Sequence, residues 1–159
     1  MRGGERPARP LVLGMDHPDT IRSAHQLAAD LCDLGDFAGA RALDEQGWQH
    51  RSRLLGEDHP DTLQSAHYLG SDLYELGERE KARDINEEVW RRRQLHGDDH
   101  PDTLRSAYSL GDDLAALGEH ARARALHRDT LVRRRRVLGE DHPDTKRSAQ
   151  ALAEVPSAP

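Results

Sequence analysis

Histidine beside aspartate is the pairing in this chain with the most obvious chemistry. The tetrapeptide His-Pro-Asp-Thr begins at His17, His59, His100 and His142. Further acids stand just before all four, as Asp16, Glu57-Asp58, Asp98-Asp99 and Glu140-Asp141. Imidazole with carboxylates is the donor set of a metal site or of acid–base catalysis. Zinc, however, needs three or four ligands converging at about 2 Å. The four copies lie 42, 41 and 42 residues apart. Recurrence at such a period marks a stacked repeat array, in which equivalent residues sit one unit apart and cannot share an ion. Catalysis needs unlike groups brought to one point, and no acid or histidine here belongs to one place alone. The chain is therefore read as a non-enzyme with no metal and no cofactor. The tetrapeptide fits a helix start instead. Proline suits the first helical position, where its missing N–H is not needed. Aspartate then faces the positive end of the helix dipole.

The elements that position these residues come in pairs. Three full units are predicted over 17–58, 59–99 and 100–141, and a half-unit over 142–154. Residues 1–10 are an Arg/Pro-rich tail expected to be disordered; 11–16 form a remnant or N-terminal edge, and 155–159 a C-terminal tail also expected to be disordered. Each first helix carries apolar residues at three- and four-residue steps: Leu27, Leu31 and Leu34 with Ala24 and Ala28 in unit one. Leu69, Leu73 and Leu76 repeat this in unit two, and Leu110, Leu114 and Leu117 in unit three. A glycine follows each stripe, Gly35, Gly77 or Gly118, as a left-handed C-cap. Second helices follow, with Ala40 and Leu43, Ala82 and Ile85, and Ala123 and Leu126 on their apolar faces. The residue missing from unit two falls between Trp90 and Gly97. No alternating strand pattern occurs, so an all-α chain is predicted.

Other residues with chemical potential have plainer readings. The runs Arg91 to Arg93 and Arg133 to Arg136 lie at the ends of second helices, where cations offset the dipole. They are read as solvated helix ends rather than a nucleic-acid surface, since no aromatic residues interleave and the net charge is −6. Trp48 and Trp90 are equivalent and read as core between units. Cys32 is the sole cysteine; it reads as a packing residue and fits a reducing, cytoplasmic setting. No apolar run approaches the ~20 residues of a membrane span. Arginine supplies 21 of the 23 basic residues, which suggests GC-rich coding.

The units resemble tetratricopeptide repeats of the 42-residue kinesin-light-chain type. The likeness rests on His-Pro-Asp-Thr, then S-A-x-x-L at Ser23, Ala24 and Leu27, then L-x-x-L-G at Leu31, Leu34 and Gly35. It continues with A-R-x-L at Ala40, Arg41 and Leu43, and R-x-x-x-L-G-E-D from Arg51 to Asp58. The Arg-rich form, ARALHRDTLVRRRRVLGEDHPDT in unit three, resembles bacterial members. The resemblance implies an α-solenoid, a right-handed superhelix of antiparallel helix pairs, acting as a protein–protein interaction scaffold. Arrays of this kind also serve as regulatory arms of nucleotide-binding, NB-ARC-like switch proteins. No G-x-x-x-x-G-K-[ST] loop occurs here, so the chain is not itself the nucleotide-binding part. A remnant of a longer array is a further alternative. Leu11 to Gly14 resembles the last turn of a preceding second helix, and the fourth first helix reads as a terminal cap. The N-terminal edge has no such cap, which invites self-association.

In this family the first helices line the concave groove that docks a peptide segment or partner helix. Position by position, that implies Arg22, His25, Gln26, Ala29, Cys32 and Asp33 in unit one. Unit two gives Gln64, His67, Tyr68, Ser71, Tyr74 and Glu75, and unit three Arg105, Tyr108, Ser109, Asp112 and Ala116. Arg147 and Gln150 follow from the half-unit. Kinesin-light-chain arrays carry an Asn-Asn pair where this chain has His25-Gln26, His67-Tyr68, Tyr108-Ser109 and Gln150-Ala151, so the asparagine clamp is not carried over. Aromatic and imidazole rings offer flat contact area with a polar handle, and His25 and His67 are expected to make binding pH-sensitive near pH 6 to 7.

Overall fold

The structure, a computed structural model, describes residues 18–156. His17, the 1–10 tail, the N-terminal edge 11–16 and the last three residues lie outside the described residues. Within them the chain forms seven α-helices and no strand. These are α1 (Pro18–Asp33), α2 (Phe37–Leu55), α3 (Pro60–Glu75), α4 (Arg79–Arg93), α5 (Pro101–Ala116), α6 (His120–Leu138) and α7 (Pro143–Glu154). Each helix packs on the one before it and the one after it, and α3 also touches α5 directly. The result is an α-solenoid with first helices in one layer and second helices in the other.

The tetrapeptide starts three of the described helices, with more chemistry than the proline alone supplies. His59, His100 and His142 are the N-caps, each with an extended backbone. The Nδ1 of each ring accepts a hydrogen bond from the backbone N–H two residues on, at 3.2, 3.2 and 3.1 Å. A ring nitrogen thus does the work usually done by a serine or aspartate oxygen. The threonines Thr62, Thr103 and Thr145 are buried, and Thr103 Oγ1 donates to the Arg93 carbonyl at 2.9 Å. Helix ends are equally regular. Gly35, Gly77 and Gly118 all adopt φ +79°, and the residue after each donates its N–H back to a carbonyl five residues earlier. That is a Schellman closure, which favours glycine because it needs positive φ.

The residue missing from unit two is absorbed locally. Helix α4 stops at Arg93 and a 3₁₀ turn over Gln94–His96 completes it. A 3₁₀ turn rises about 2.0 Å per residue against about 1.5 Å in an α-helix. Three such residues regain the ~1.5 Å that one α-helical residue would span.

Alanines let the layers approach. Ala40, Ala82 and Ala123, equivalent in the three second helices, are fully buried. Around them the core falls into patches at each junction. Leu63, Ala66 and Val89 pack with Trp48 and Ile85, while Leu69, Leu73 and Ala82 share the same two neighbours. Leu110, Leu114, Ala123 and Val155 pack with Trp90 and Leu126. Both tryptophans therefore lie in the core between units. Val155, placed by the sequence in a C-terminal tail, is instead buried, and its carbonyl accepts from Arg124 Nη1 at 2.6 Å. It closes the last junction because α7 leaves the faces of α5 and α6 only partly covered. Unit one is looser than its stripe predicts: Leu27 and Leu34 are exposed, the latter at 81 %. Helix α3 is sandwiched between α2 and α4, whereas α1 packs chiefly on α2 among the described helices.

The arginine runs are not simply solvated ends. Arg93 and Arg134 are only 4 and 5 % exposed. With Arg51 they occupy the same place in successive units and reach into the next first helix. Arg51 Nη1 donates to Ser65 Oγ at 2.5 Å, Arg93 Nη1 to Ser106 Oγ at 2.7 Å, and Arg134 Nη1 to Ser148 Oγ at 2.8 Å. The same nitrogens donate to the carbonyls of Asp61, Asp102 and Asp144. The serine of the S-A motif is thus the receiver of the arginine of the R-x-x-x-L-G motif. The flanking arginines pair with acids of the loops between units: Arg92 with Glu57 and Asp58, and Arg133 and Arg136 with Asp99.

Candidate functional site

The first-helix layer carries three adjoining clefts. A small one of about 180 Å³ is lined by Ser71, Tyr74, Glu75, Asn86, Ser109, Asp112 and Asp113. One of about 380 Å³ joins Tyr74, Tyr108, Asp112 and Ala116 to Ala151, Glu154, Val155 and Pro156. The third, of about 430 Å³, lies between α5 and α7 and includes His67, Arg105, Tyr108, Ser109, Arg134, His142 and Arg147. The structure therefore brings together most of the groove residues of units two and three. Those of unit one gather less. Arg22, Gln26 and Asp33 are exposed on α1 and line none of these clefts. Gln26 Nε2 donates within its own helix to Asp30 at 3.2 Å.

Several predicted groove side chains hold one another in place. The rings of His25 and Tyr68 stack at 4.0 Å, joining α1 to α3. The Arg79 guanidinium lies 3.6 Å from the centre of the Tyr74 ring, a cation–π contact that fixes its orientation. Ser71 Oγ donates to the His67 carbonyl at 3.2 Å. Gln64 Oε1 accepts from Arg93 Nη2 at 3.2 Å and from Arg105 Nη2. Tyr108 meets the edge of His127 at 5.5 Å.

His67 departs from expectation. It is 6 % exposed, and its pKa is pushed down to about 4, by burial first and then by Arg93 and Arg105. It stays neutral through pH 6 to 7, so it cannot supply a pH response in that range. Its polarity suggested a groove contact, but its place on the side of α3 that faces α5 buries it.

Beneath the clefts runs a buried polar seam that sequence reading missed. Asp44, Asn86 and His127 are equivalent on the second helices and all are buried. Asn86 Nδ2 donates to Asp113 Oδ2 at 2.7 Å, and His25 Nδ1 lies 3.2 Å from Asp44 Oδ1. Asp72 accepts from the Cys32 thiol at 3.2 Å. Burial pushes Asp72 up to about 6, with Asp44 adding to the shift and the Cys32 thiol opposing it. Burial likewise pushes Asp113 up to about 7, opposed by Asn86. The Cys32 thiol itself rises to about 12, through burial and then Asp72, which keeps it un-ionised and a packing residue. The signal for the seam was available: Asp30, Asp72 and Asp113 recur at one position in otherwise apolar stripes. Among the described residues no three His, Cys, Asp or Glu side chains gather as a metal ion would require. None of the described helices is long and apolar enough to cross a membrane.

Comparison with known proteins agrees with this architecture. Two tetratricopeptide-repeat family models match, one over residues 19–92 and one over 103–144. A crystal structure of a kinesin-light-chain-like array of nearly identical TPR-like repeats from Podosopora anserina aligns with a TM-score of 0.78 at 26 % identity. That alignment covers 91 % of this chain and 68 % of the other. A second crystal structure of that array aligns at 0.76 and 26 % identity, covering 91 % and 69 %. No curated protein matches the sequence. The chain belongs to the tetratricopeptide-repeat family, and its repeats are of the kinesin-light-chain-like form. Arrays of this family generally mediate protein–protein interaction.

Proposed function

We propose that the first-helix face is a docking groove for an extended peptide segment of a protein partner, and that the chain is a non-catalytic scaffold. The observation that carries this is a division of labour between repeats. Residues that recur in every unit, such as Ala40, Ala82 and Ala123, are buried. First-helix residues that differ between units, such as Ser71, Glu75, Tyr108 and Ser109, gather instead around the open clefts. Tyr74 and Tyr108 supply aromatic anchors of the kind that dominate interface energetics. A single cysteine, with no partner in the sequence for a disulfide, suits a reducing, cytoplasmic setting.

Selection from a random peptide library on the intact chain tests the reading. The second bait carries Tyr74→Ala and Tyr108→Ala, once circular dichroism shows equal helicity. Peptides selected on the wild type should bind the variant at least tenfold more weakly. Equal binding to both baits would rule out the groove.

A further inference from the structure

Each unit junction has one arginine at its base, and the last of these lacks an acceptor that its neighbour has. At the junction of α3 and α5, Gln64 Oε1 ties two guanidiniums together, those of Arg93 and Arg105. One unit on, Arg134 replaces Arg93 and Arg147 replaces Arg105. The place of Gln64 is taken by Arg105 itself, and a guanidinium cannot accept a hydrogen bond. Arg134 Nη2 is left with the Leu104 carbonyl at 3.5 Å, a long and weak contact. The cleft of about 430 Å³ opens at this point, walled by Arg105, Arg134, Arg147, Tyr108, His142 and Leu104. His67 borders it too, and its Nδ1 has no hydrogen-bond partner among the described residues.

Charge decides what fits. Arg105 is paired with Asp102 at 2.6 Å and Arg147 with Asp144 at 3.5 Å. Arg134 Nη1 bonds the Asp144 carbonyl and Ser148, and no ion pair to it occurs among the described residues. The first turns of α5 and α7 also face the cleft, through Asp102 and Asp144. A helix N-terminus carries about half a positive charge. Three guanidiniums and two such termini, set against two carboxylates, leave about two positive charges. A carboxylate would neutralise one of them. A phosphate monoester carries about −1.5 to −2 and three acceptor oxygens, enough for Arg134 and both flanking arginines.

We propose that the cleft between α5 and α7 binds the phosphoryl group of a phosphorylated peptide segment, whose oxygen takes the place that Gln64 Oε1 fills one junction earlier. This rests on the peptide-groove reading and names the chemistry of one part of it. The phosphoryl group bridges Arg134 and Arg147, with Arg105 as the third donor. Tyr108 provides a flat wall for the adjoining peptide.

The test uses the intact chain and small probes, so it needs no partner. N-acetyl-phosphoserine amide, N-acetyl-glutamate amide and inorganic phosphate are titrated into isotope-labelled protein, followed by NMR and calorimetry. Phosphoserine amide should give saturable shifts at the Arg134 side-chain Nε–H and at Tyr108, with a dissociation constant at least tenfold below that of the glutamate amide. Arg147→Met, an exposed position, should weaken it at least tenfold. Arg105→Gln should abolish saturable binding, because the introduced carbonyl oxygen fills the gap from within, and the melting temperature should not fall. Unsaturable shifts, glutamate within tenfold of phosphoserine, or wild-type affinity in Arg105→Gln would each overturn the proposal. Tighter binding of inorganic phosphate than of phosphoserine amide would assign the cleft to a free anion and overturn the peptide assignment. Failure here leaves the groove reading to its own library selection.

Discussion

Arg91 and Arg93 stand two residues apart in one run and have opposite surroundings. Arg91 is exposed and pairs with Glu88 on its own helix, at 2.7 Å. Arg93 is buried, bonded to Ser106, to the Asp102 carbonyl and to Gln64. Burial pulls its pKa down to about 10, still far above neutrality, so it enters the junction as a cation. Exposed ion pairs contribute little, since solvent screens them and ordering long side chains opposes them. Hydrogen bonds to a buried charge are worth about 1.5–3 kcal/mol, and losing them strands their partners. Arg93→Met should therefore cost roughly 3 kcal/mol in urea unfolding, whereas Arg91→Ala should stay within about 0.5 kcal/mol. Equal losses would refute the assignment of Arg93 as the working residue. Reading the run as solvated was the natural outcome of its charge. The sign missed was recurrence: within the runs, Arg93 and Arg134 share a position that Arg51 also fills, each 13 or 14 residues before a serine that also returns.

Between helices, packing sets the seam. A side chain on Gly111 would begin 2.5 Å from the His127 ring, and one on Gly70 would begin 2.7 Å from Asn86. Glycine lets a polar side chain of the second helix lie flat against the first. Gly111→Ala should destabilise by about 1–3 kcal/mol through overpacking. Adding His127→Ala should restore much of that loss, which double-mutant unfolding would show; strictly additive losses would argue against the contact. The seam also sets a pH response. Asp72 and Asp113 have an ordinary value of 3.8 and are raised in the folded state to about 6 and about 7. The folded chain thus keeps protons that the unfolded chain gives up. The contribution of these two aspartates to stability is full below about pH 4 and is lost as pH rises to about 7. His67, lowered from 6.5 to about 4, opposes it between those two values, so the net change from pH 5 to pH 8 is a smaller loss. Thermal melts should show a lower melting temperature at pH 8 than at pH 5. Asp72→Asn with Asp113→Asn should raise the pH 8 value and flatten the profile. A wild-type profile that is flat from pH 5 to 8 would refute this.

At the scale of the whole molecule, α7 is the last of the described helices and covers the preceding junction. Its Thr145, Ser148 and Ala151, and Val155 just beyond it, are buried against the preceding unit. It also supplies the Ser148 and Asp144 acceptors of Arg134. In a solenoid, stability is close to a sum of units and nearest-neighbour interfaces, so removing one terminal helix removes one interface. Deleting residues 142–159 should lower the melting temperature and raise binding of a hydrophobic dye, as Leu110, Leu114 and Arg134 lose their cover. Unchanged melting would mean that α7 is not a cap. The same deletion removes one wall of the cleft between α5 and α7, so the terminal helix serves both stability and the proposed phosphoryl contact.

The sequence by itself determined whatever is local or repeated. The period, the helix starts at His-Pro-Asp-Thr, the glycine caps and the apolar faces of units two and three follow from chemistry within a few residues, written more than once. The family followed from the same motifs. Tertiary structure decided what depends on a neighbour across a junction. Gln64 meets Arg93 and Arg105 from 29 and 41 residues away, and Asn86 meets Asp113 from 27. Which histidine stays neutral and which cation lacks an oxygen are set by those distant partners. Local pattern carries no record of them, because a charged residue has the same sequence signature whether it faces water or the next unit.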